Sequence, residues 1–163
     1  MICLYLFVAF LRYITMKRFL FLLLFAGIAF SCEKEFYTSI PSFPVHLDLR
    51  LDGLDYDLNA NLAYKIFTQP RFASDQLGFG GILIVNGMGE NMVNLYAYDL
   101  SCPVEEKRDT RVVPDKSGVT ATCPKCGTVF DIATGTGRPH SGTKYSLRSY
   151  RVVGSGMQYT VAN

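Results

Sequence analysis

The stretch TCPKCGTVFDIATG, residues 122–135, decides how the fold of this chain is interpreted. It places Cys123 and Cys126 two residues apart, with Pro124 between them and Gly127 directly after. A redox dithiol would need its first cysteine at the start of a helix in a βαβ context. No helical periodicity follows this pair, so the meaning of the stretch depends on a third cysteine upstream, Cys102.

Cys102 begins a second Cys-Pro turn, CPV, at the end of a predicted strand. A proline after the first ligand stiffens a metal loop and leaves backbone N–H groups free to point at sulfur. Three thiolates converge if the two loops face each other. A structural zinc site takes four ligands, and Glu105 stands at the partner position of the first loop, so a Cys3Glu site is one hypothesis.

The N-terminal end is almost wholly apolar and differs from the rest of the chain. The stretch MKRFLFLLLFAGIAFSC, residues 16–32, has a basic start, an apolar run and a small-residue approach to Cys32. It resembles a bacterial lipoprotein signal, in which the thiol of that cysteine is lipidated, although Phe30 departs from the usual small residue. We therefore predict a signal segment over 1–31, with Met16 as an alternative start, and a lipidated tether over 32–44.

This prediction makes the protein an exported lipoprotein, held on a membrane through its lipid and facing the periplasm or the cell surface. The alternative is a transmembrane helix over 1–30, since about 20 apolar residues cross a bilayer. Export also affects the five cysteines, because thiols outside the cytosol tend to oxidise unless something binds them. Cys3 lies upstream of the alternative start and Cys32 carries lipid, so three cysteines remain to be explained together.

The remainder, residues 45–163, has the pattern of short antiparallel strands. Residues 45–53 alternate apolar and polar side chains, and 62–70 form a second candidate strand that ends at a proline. Residues 80–100 and 144–163 each indicate two strands joined by a glycine-containing turn, GSG in the second case. No stretch has the spacing of a substantial helix, so we predict an all-β domain.

Two function classes are disfavoured by composition and context. A net charge of +2 without a run of basic residues does not indicate nucleic-acid binding. The glycines of residues 78–91 flank a β-branched strand, whereas a phosphate-binding loop needs a strand, the glycines and then a helix. With two histidines and no visible nucleophile-base pair, we expect no independent enzymatic activity.

Both cysteine loops then resemble those of the Rieske-type iron-sulfur proteins, which carry C-x-H on one loop and C-x-x-H on the other. Here SCPV and CPKCGTVFDIATG stand in those places, with Gly127, Phe130, Asp131 and Gly135 at the family's positions. The resemblance covers roughly residues 45–163. It implies a Rieske-like antiparallel β-sandwich or small barrel with two ligand loops.

The departures fall on the ligands, since Val104 replaces the first histidine and Cys126 replaces the second. The resemblance implies that Cys102, Cys123 and Cys126 are metal ligands. The fourth ligand would be Glu105, Asp99 or His140, and the histidine lies where the family has its proline-rich loop.

Three hypotheses follow for the site. In the first, a [2Fe-2S] cluster with non-standard ligands transfers electrons to or from a redox protein partner, at most as a component of an oxidoreductase. In the second, the fold has lost its cluster and serves as a structural or interaction module. In the third, the cysteines bind zinc, or Cys102 and Cys123 form a disulfide.

Overall fold

The structure is a computed structural model and describes residues 35–89 and 93–163. The predicted signal segment, the alternative start Met16 and the lipidation site Cys32 lie outside the described residues. Residues from Glu35 to Asn163 form one compact unit. Within the described ranges, no helix is both long and apolar enough to span a bilayer.

The fold is all-β, as predicted, and its strands pair antiparallel throughout the two sheets of the described chain. One 3-10 helix, Tyr56–Asn59, interrupts the strands of these residues. The strands are β1 (Val45–Arg50), β2 (Tyr64–Phe67), β3 (Gln76–Leu77), β4 (Ile82–Asn86), β5 (Leu95–Asp99), β6 (Val113–Pro114), β7 (Thr120–Thr122), β8 (Val129–Asp131), β9 (Ser149–Ser155) and β10 (Gln158–Ala162).

Seven strands form a nearly closed, barrel-like sheet in the order β2-β4-β5-β9-β10-β1-β3. The predicted pairing of residues 80–100 appears as the antiparallel pair of β4 and β5. The C-terminal hairpin also forms, as β9 and β10, but Ser155 pairs with Gln158, so the turn is Gly156–Met157. Of the predicted turn GSG, residues 154–156, only Gly156 lies in the turn, because Gly154 and Ser155 belong to β9.

A second sheet of three strands, β6-β7-β8, packs over one side of the barrel. Strand β4 is buried along its whole length because it faces two cores. Ile82 and Ile84 point into the barrel core, whereas Leu83 and Val85 pack in the core beneath the small sheet. This double burial explains why the strand reads as a continuous apolar run. Both Cys102 and Cys123 belong to the second core, which places the cysteine loops at its edge.

Residues 35–44, part of the predicted tether, pack against the domain. Ile40 is only 2% exposed, and its carbonyl accepts a hydrogen bond from Arg148 Nη1 at 2.8 Å. Tyr37 exchanges backbone hydrogen bonds with the segment 144–146, and Ser39 Oγ donates to the carbonyl of Pro103. The described part of this segment therefore touches the first cysteine loop.

Candidate metal centre

The first cysteine loop connects β5 to β6, and it begins at Cys102. The amide of Cys102 donates to the carbonyl of Thr110 at 2.9 Å, which draws the two ends of the loop together. The carbonyl of Cys102 accepts from the amide of Glu106 at 3.0 Å. Glu106 has a φ of 54°, a left-handed conformation that side-chain-bearing residues adopt at a cost. This conformation closes a tight turn around the cysteine.

The second cysteine loop connects β7 to β8, whose register pairs Thr122 with Val129. The amide of Cys123 donates to the carbonyl of Thr128 at 2.9 Å, and the carbonyl of Cys123 accepts from Gly127 at 2.9 Å. Gly127 has a φ of 72°. Glycine adopts this left-handed conformation readily, which explains its place directly after the CPKC sequence.

Two arginines attach the first loop to the turn before β4. Arg108 lies over the ring of Phe79, 5.1 Å from its centroid, and over that of Phe43 at 5.0 Å. Arg111 Nε donates to the carbonyl of Gly80 at 2.7 Å. The direction of the chain around Cys102 is therefore fixed by contacts far along the sequence.

Asp99, one of the three residues considered as a fourth ligand, is fully buried and already hydrogen-bonded. Its carboxylate accepts from the amides of Phe79 at 2.8 Å, Gly80 at 3.1 Å and Ser101 at 2.8 Å, and from Tyr150 Oη at 2.7 Å. These bonds supply the polar partners that a buried carboxylate requires. Asp99 therefore anchors the start of the first loop, and its oxygens do not belong to the group of neighbouring sulfurs.

The three cysteine sulfurs come together. Cys102 Sγ lies 3.6 Å from Cys126 Sγ, and the sulfurs of Cys102, Cys123 and Cys126 all lie within 4.8 Å of one another. Cys102 and Cys123 are buried, whereas Cys126 is exposed, and all three are free thiols. Three soft sulfur ligands at this spacing can bind a metal ion.

The surroundings shift the pKa values of Cys102 and Cys126 in opposite directions. Burial raises the pKa of the Cys102 thiol to about 12, and its hydrogen bond with Cys123 adds to the rise. Backbone hydrogen bonds of Glu105 and Val104 oppose this rise of the pKa. At Cys126 burial also raises the pKa, but hydrogen bonds with the hydroxyl and the amide of Thr128 outweigh it and the pKa is lowered.

Glu105 and His140, the other two residues considered as a fourth ligand, occupy different surroundings. The side chain of Glu105 is 16% exposed and pairs with Lys125 of the opposite loop. His140 is exposed, and its amide donates to the carbonyl of Val129 at 2.9 Å beside the small sheet. Neither side chain belongs to the group of neighbouring ligand atoms, which among the residues described consists of the three cysteines.

The donor set differs from that of a Rieske cluster, in which two histidines hold the second iron. Val104 stands where the first histidine belongs, is 36% exposed and has no ligand atom. The second position is a thiol, and the nearby His140 is not among the neighbouring ligand atoms. The residues of this site therefore do not fit a Cys2His2 [2Fe-2S] cluster.

Three of the residues on which the resemblance to Rieske-type loops is based, Phe130, Asp131 and Gly135, have structural roles. Phe130 is fully buried in the core under the small sheet. Asp131 Oδ1 accepts from the amides of Ala133 at 3.0 Å and Thr134 at 3.1 Å. These bonds shape the turn that follows β8, and Gly135 at a φ of 83° continues it.

Two residues that the sequence analysis did not single out also belong to the site. Thr128 Oγ1 lies 3.2 Å from Cys126 Sγ, and Lys125 pairs with Glu105. Both lie within two residues of Cys126, and this closeness in sequence is the one signal that could have identified them. Their roles depend on the turn that directs these side chains toward the sulfur and toward the first loop.

Comparisons of the chain with protein-family models, with curated proteins and with solved structures gave no match.

Proposed function

We propose that this protein is an exported, lipid-anchored metal-binding protein of Rieske-like architecture, whose thiolate centre transfers electrons and is not itself catalytic. The observation that carries the proposal is the convergence of three cysteine sulfurs from two loops within 4.8 Å. An assembled thiolate centre at the edge of a core is suited to hold a metal that a partner protein can approach.

The arrangement of the loops supports metal binding over simple loss of a cluster. Backbone hydrogen bonds of Val104 and Glu105 lower the pKa of Cys102 against the effect of burial, and hydrogen bonds with the hydroxyl and the amide of Thr128 lower the pKa of Cys126. Hydrogen bonds of this kind to sulfur stabilise thiolate and tune the metal that it binds.

The exposure of the three sulfurs supports a role in electron transfer. Cys126 is exposed while its two partners are buried, so the centre has one ligand at the surface. A metal bound there is shielded from solvent on one side and accessible to a redox protein on the other. The two histidines offer little for catalysis, because His46 pairs with Asp48 on β1 at 3.6 Å and His140 lies exposed beside β8.

The test is the metal and acid-labile sulfide content of the full chain, solubilised from membranes in detergent and purified without oxygen. Iron in a stoichiometric amount that is reversibly oxidised and reduced supports the proposal. Zinc alone would refute electron transfer and leave metal binding. Protein without any metal under these conditions would refute the proposed function and favour a structural or interaction module.

Cysteine variants connect the metal content to this site. We expect Cys126→Ser, which changes an exposed side chain, to lose most of the bound metal while the fold persists. Circular dichroism checks that the β-sheet content is unchanged. Full metal content in this variant would show that the metal binds elsewhere.

The lipid anchor is tested separately by cell fractionation. We expect Cys32→Ala to move the protein from the membrane fraction to the soluble fraction, because it removes the predicted lipidation site. Cys3→Ala is the matched control and should remain in the membrane fraction. Retention of the Cys32→Ala variant in the membrane would refute the lipid anchor and favour a membrane-spanning helix.

A further inference from the structure

The first five residues of the two cysteine loops form equivalent turns, although the loops differ in length and share little sequence. In each loop the cysteine carbonyl accepts a hydrogen bond from the amide four residues later, at 3.0 Å in the first loop and 2.9 Å in the second. In each loop that fourth residue is left-handed, with φ values of 54° and 72°. The equivalent pairs are Cys102 with Cys123, Pro103 with Pro124, Val104 with Lys125, Glu105 with Cys126, and Glu106 with Gly127.

This equivalence gives Glu105 the same place in its loop that Cys126 has in the other. The side chain of Glu105 is 16% exposed, which is low for a carboxylate on a loop. It reaches across to Lys125, which directly precedes Cys126 in the second loop. The carboxylate therefore already lies at the junction of the two loops.

We propose that the centre binds a single four-coordinate metal ion through the three cysteine thiolates and the carboxylate of Glu105. This inference rests on the proposed metal-binding function and specifies its donor set. Each Cys-Pro turn has two ligands three residues apart, Cys102 with Glu105 and Cys123 with Cys126. Together they provide the four ligands that a tetrahedral site needs. Zinc(II) and iron(II) share this chemistry, and the experiment below separates them.

The sulfur spacing agrees with one ion. Because metal–sulfur bonds of zinc are about 2.3 Å long, two thiolates on one tetrahedral ion lie about 3.8 Å apart. The distance between Cys102 Sγ and Cys126 Sγ is 3.6 Å. In a Rieske-like cluster these two positions would serve different irons, so the two sulfide bridges and the second iron would lie between them. The contact of these two sulfurs is therefore close to the spacing expected on one ion.

Lys125 completes the site by hydrogen-bonding the carboxylate. Its ammonium pairs with Oε2 of Glu105, and a carboxylate has a second oxygen with which to bind a metal. Metal-bound carboxylates are themselves usually hydrogen-bonded, and such partners fix their orientation. Three thiolates and a carboxylate on a divalent ion leave an excess of negative charge, which the lysine offsets.

The experiment titrates Co²⁺ into the full chain in detergent, after chelator treatment and reduction and without oxygen. We expect one Co²⁺ per chain, with the visible bands of tetrahedral cobalt and thiolate-to-cobalt charge transfer. Glu105→Gln should weaken Co²⁺ binding by about 100-fold or more. Loss of a residue that only hydrogen-bonds a ligand already costs about tenfold to 100-fold. Glu105→Cys should keep tight binding of one ion and strengthen the charge-transfer band.

Two further variants separate ligation from the effect of charge. Asp109→Asn removes one exposed negative charge from the same loop and should bind Co²⁺ like the wild type. Lys125→Gln removes the ion pair and should weaken binding less than Glu105→Gln does. Wild-type affinity in Glu105→Gln would overturn the inference, as would equal losses in the Glu105→Gln and Lys125→Gln variants.

The metal content of the untreated protein distinguishes failure of this inference from failure of the proposed function. One zinc or one iron per chain without sulfide supports a single ion. The measured metal content also identifies that ion as zinc or iron. Two irons and two sulfides per chain would overturn the single ion and leave the proposed function standing. Absence of any metal would overturn both.

Discussion

Cys102 Sγ contacts Cys126 Sγ at 3.6 Å, although 24 residues separate them along the chain. The contact forms because β5 and the β7–β8 hairpin end at the edge of one core, where each strand continues into a Cys-Pro turn. The two sulfurs differ in their access to solvent, since the first is buried and the second is exposed. That difference leads to the first prediction.

In the reduced, metal-free protein, iodoacetamide should alkylate Cys126 before Cys102 and Cys123. Cys126 is exposed and its pKa is lowered, chiefly by the donors on Thr128, whereas burial raises the pKa of Cys102 to about 12. The thiolate is the reactive species, so the thiol with the lower pKa and better access reacts first. Peptide mapping by mass spectrometry after short exposures measures the order.

Thr128→Val should slow the alkylation of Cys126 several-fold, because it removes the hydroxyl 3.2 Å from the sulfur. Thr122→Val, a matched change in β7, should leave the rate unchanged. Equal labelling of Cys102 and Cys126 would contradict the described difference between the two thiols.

Alkaline pH should destabilise the fold through Tyr150. Burial raises its pKa well above the ordinary value of 10, and the hydrogen bond to Asp99 adds to the rise. The folded state therefore keeps this proton when the unfolded chain loses it, so the contribution is complete below pH 10 and declines as the pH rises further. Each such proton contributes a slope of about 1.4 kcal/mol per pH unit.

Tyr150→Phe should lower the free energy of unfolding at pH 7 by about 1–3 kcal/mol, because Asp99 loses one donor. The same variant should lose stability less steeply than the wild type above pH 10. Urea denaturation at a series of pH values, followed by circular dichroism, gives both quantities. Tyr56→Phe, which alters a side chain that is 71% exposed, is the control and should change neither. An unchanged alkaline slope in Tyr150→Phe would refute this account.

Gly80→Ala should destabilise the domain by about 2–4 kcal/mol, in the range of severe packing defects. A β-carbon at Gly80 would lie 1.9 Å from Ser101 Oγ and 3.0 Å from the carbonyl of Arg108, so the first cysteine loop would have to move. We expect weaker Co²⁺ binding in this variant for the same reason. Gly53→Ala is the control, because nothing lies within 4 Å of its added β-carbon. Similar stabilities of the two variants would contradict the described packing of this turn.

Gly127→Ala should cost about 1 kcal/mol through backbone conformation alone. Its added β-carbon meets nothing within 4 Å, but its φ of 72° is unfavourable for any residue with a side chain. The reverse change in the equivalent turn, Glu106→Gly, should raise the free energy of unfolding by up to about 1 kcal/mol. Urea denaturation measures both. If Glu106→Gly lowers stability, the left-handed conformation of Glu106 is not a source of strain.

The strands were predictable where burial of one face makes apolar and polar residues alternate along the sequence. Strand β1 has a buried residue at every second position, with Leu47 and Leu49 almost fully buried, as its alternation predicts. The convergence of the two cysteine loops followed from their family resemblance and from their shared Cys-Pro start. The packing of residues 35–44 was not predictable, because irregular segments are held by individual long-range contacts such as that of Arg148 with Ile40.

The site was predictable to the level of residue types, and its connections required the structure. Asp99 is a candidate ligand in the sequence, but in the structure the turn before β4 supplies amides that hydrogen-bond its carboxylate. The equivalence of Glu105 and Cys126 was only partly visible in their spacing. It depends on the left-handed Glu106, and glutamate, unlike glycine, gives no sign of such a conformation in a sequence.

The three neighbouring thiols have a consequence for the order in which the proposed metal centre would mature. In an oxidising compartment, one disulfide among the three sulfurs would consume two of them at once. The remaining thiol and Glu105 would then be too few to hold a tetrahedral ion. Oxidation and metal loading are therefore in direct competition, and the reaction that occurs first decides the final state. If the centre binds a metal as proposed, that metal has to reach these cysteines while they are still reduced.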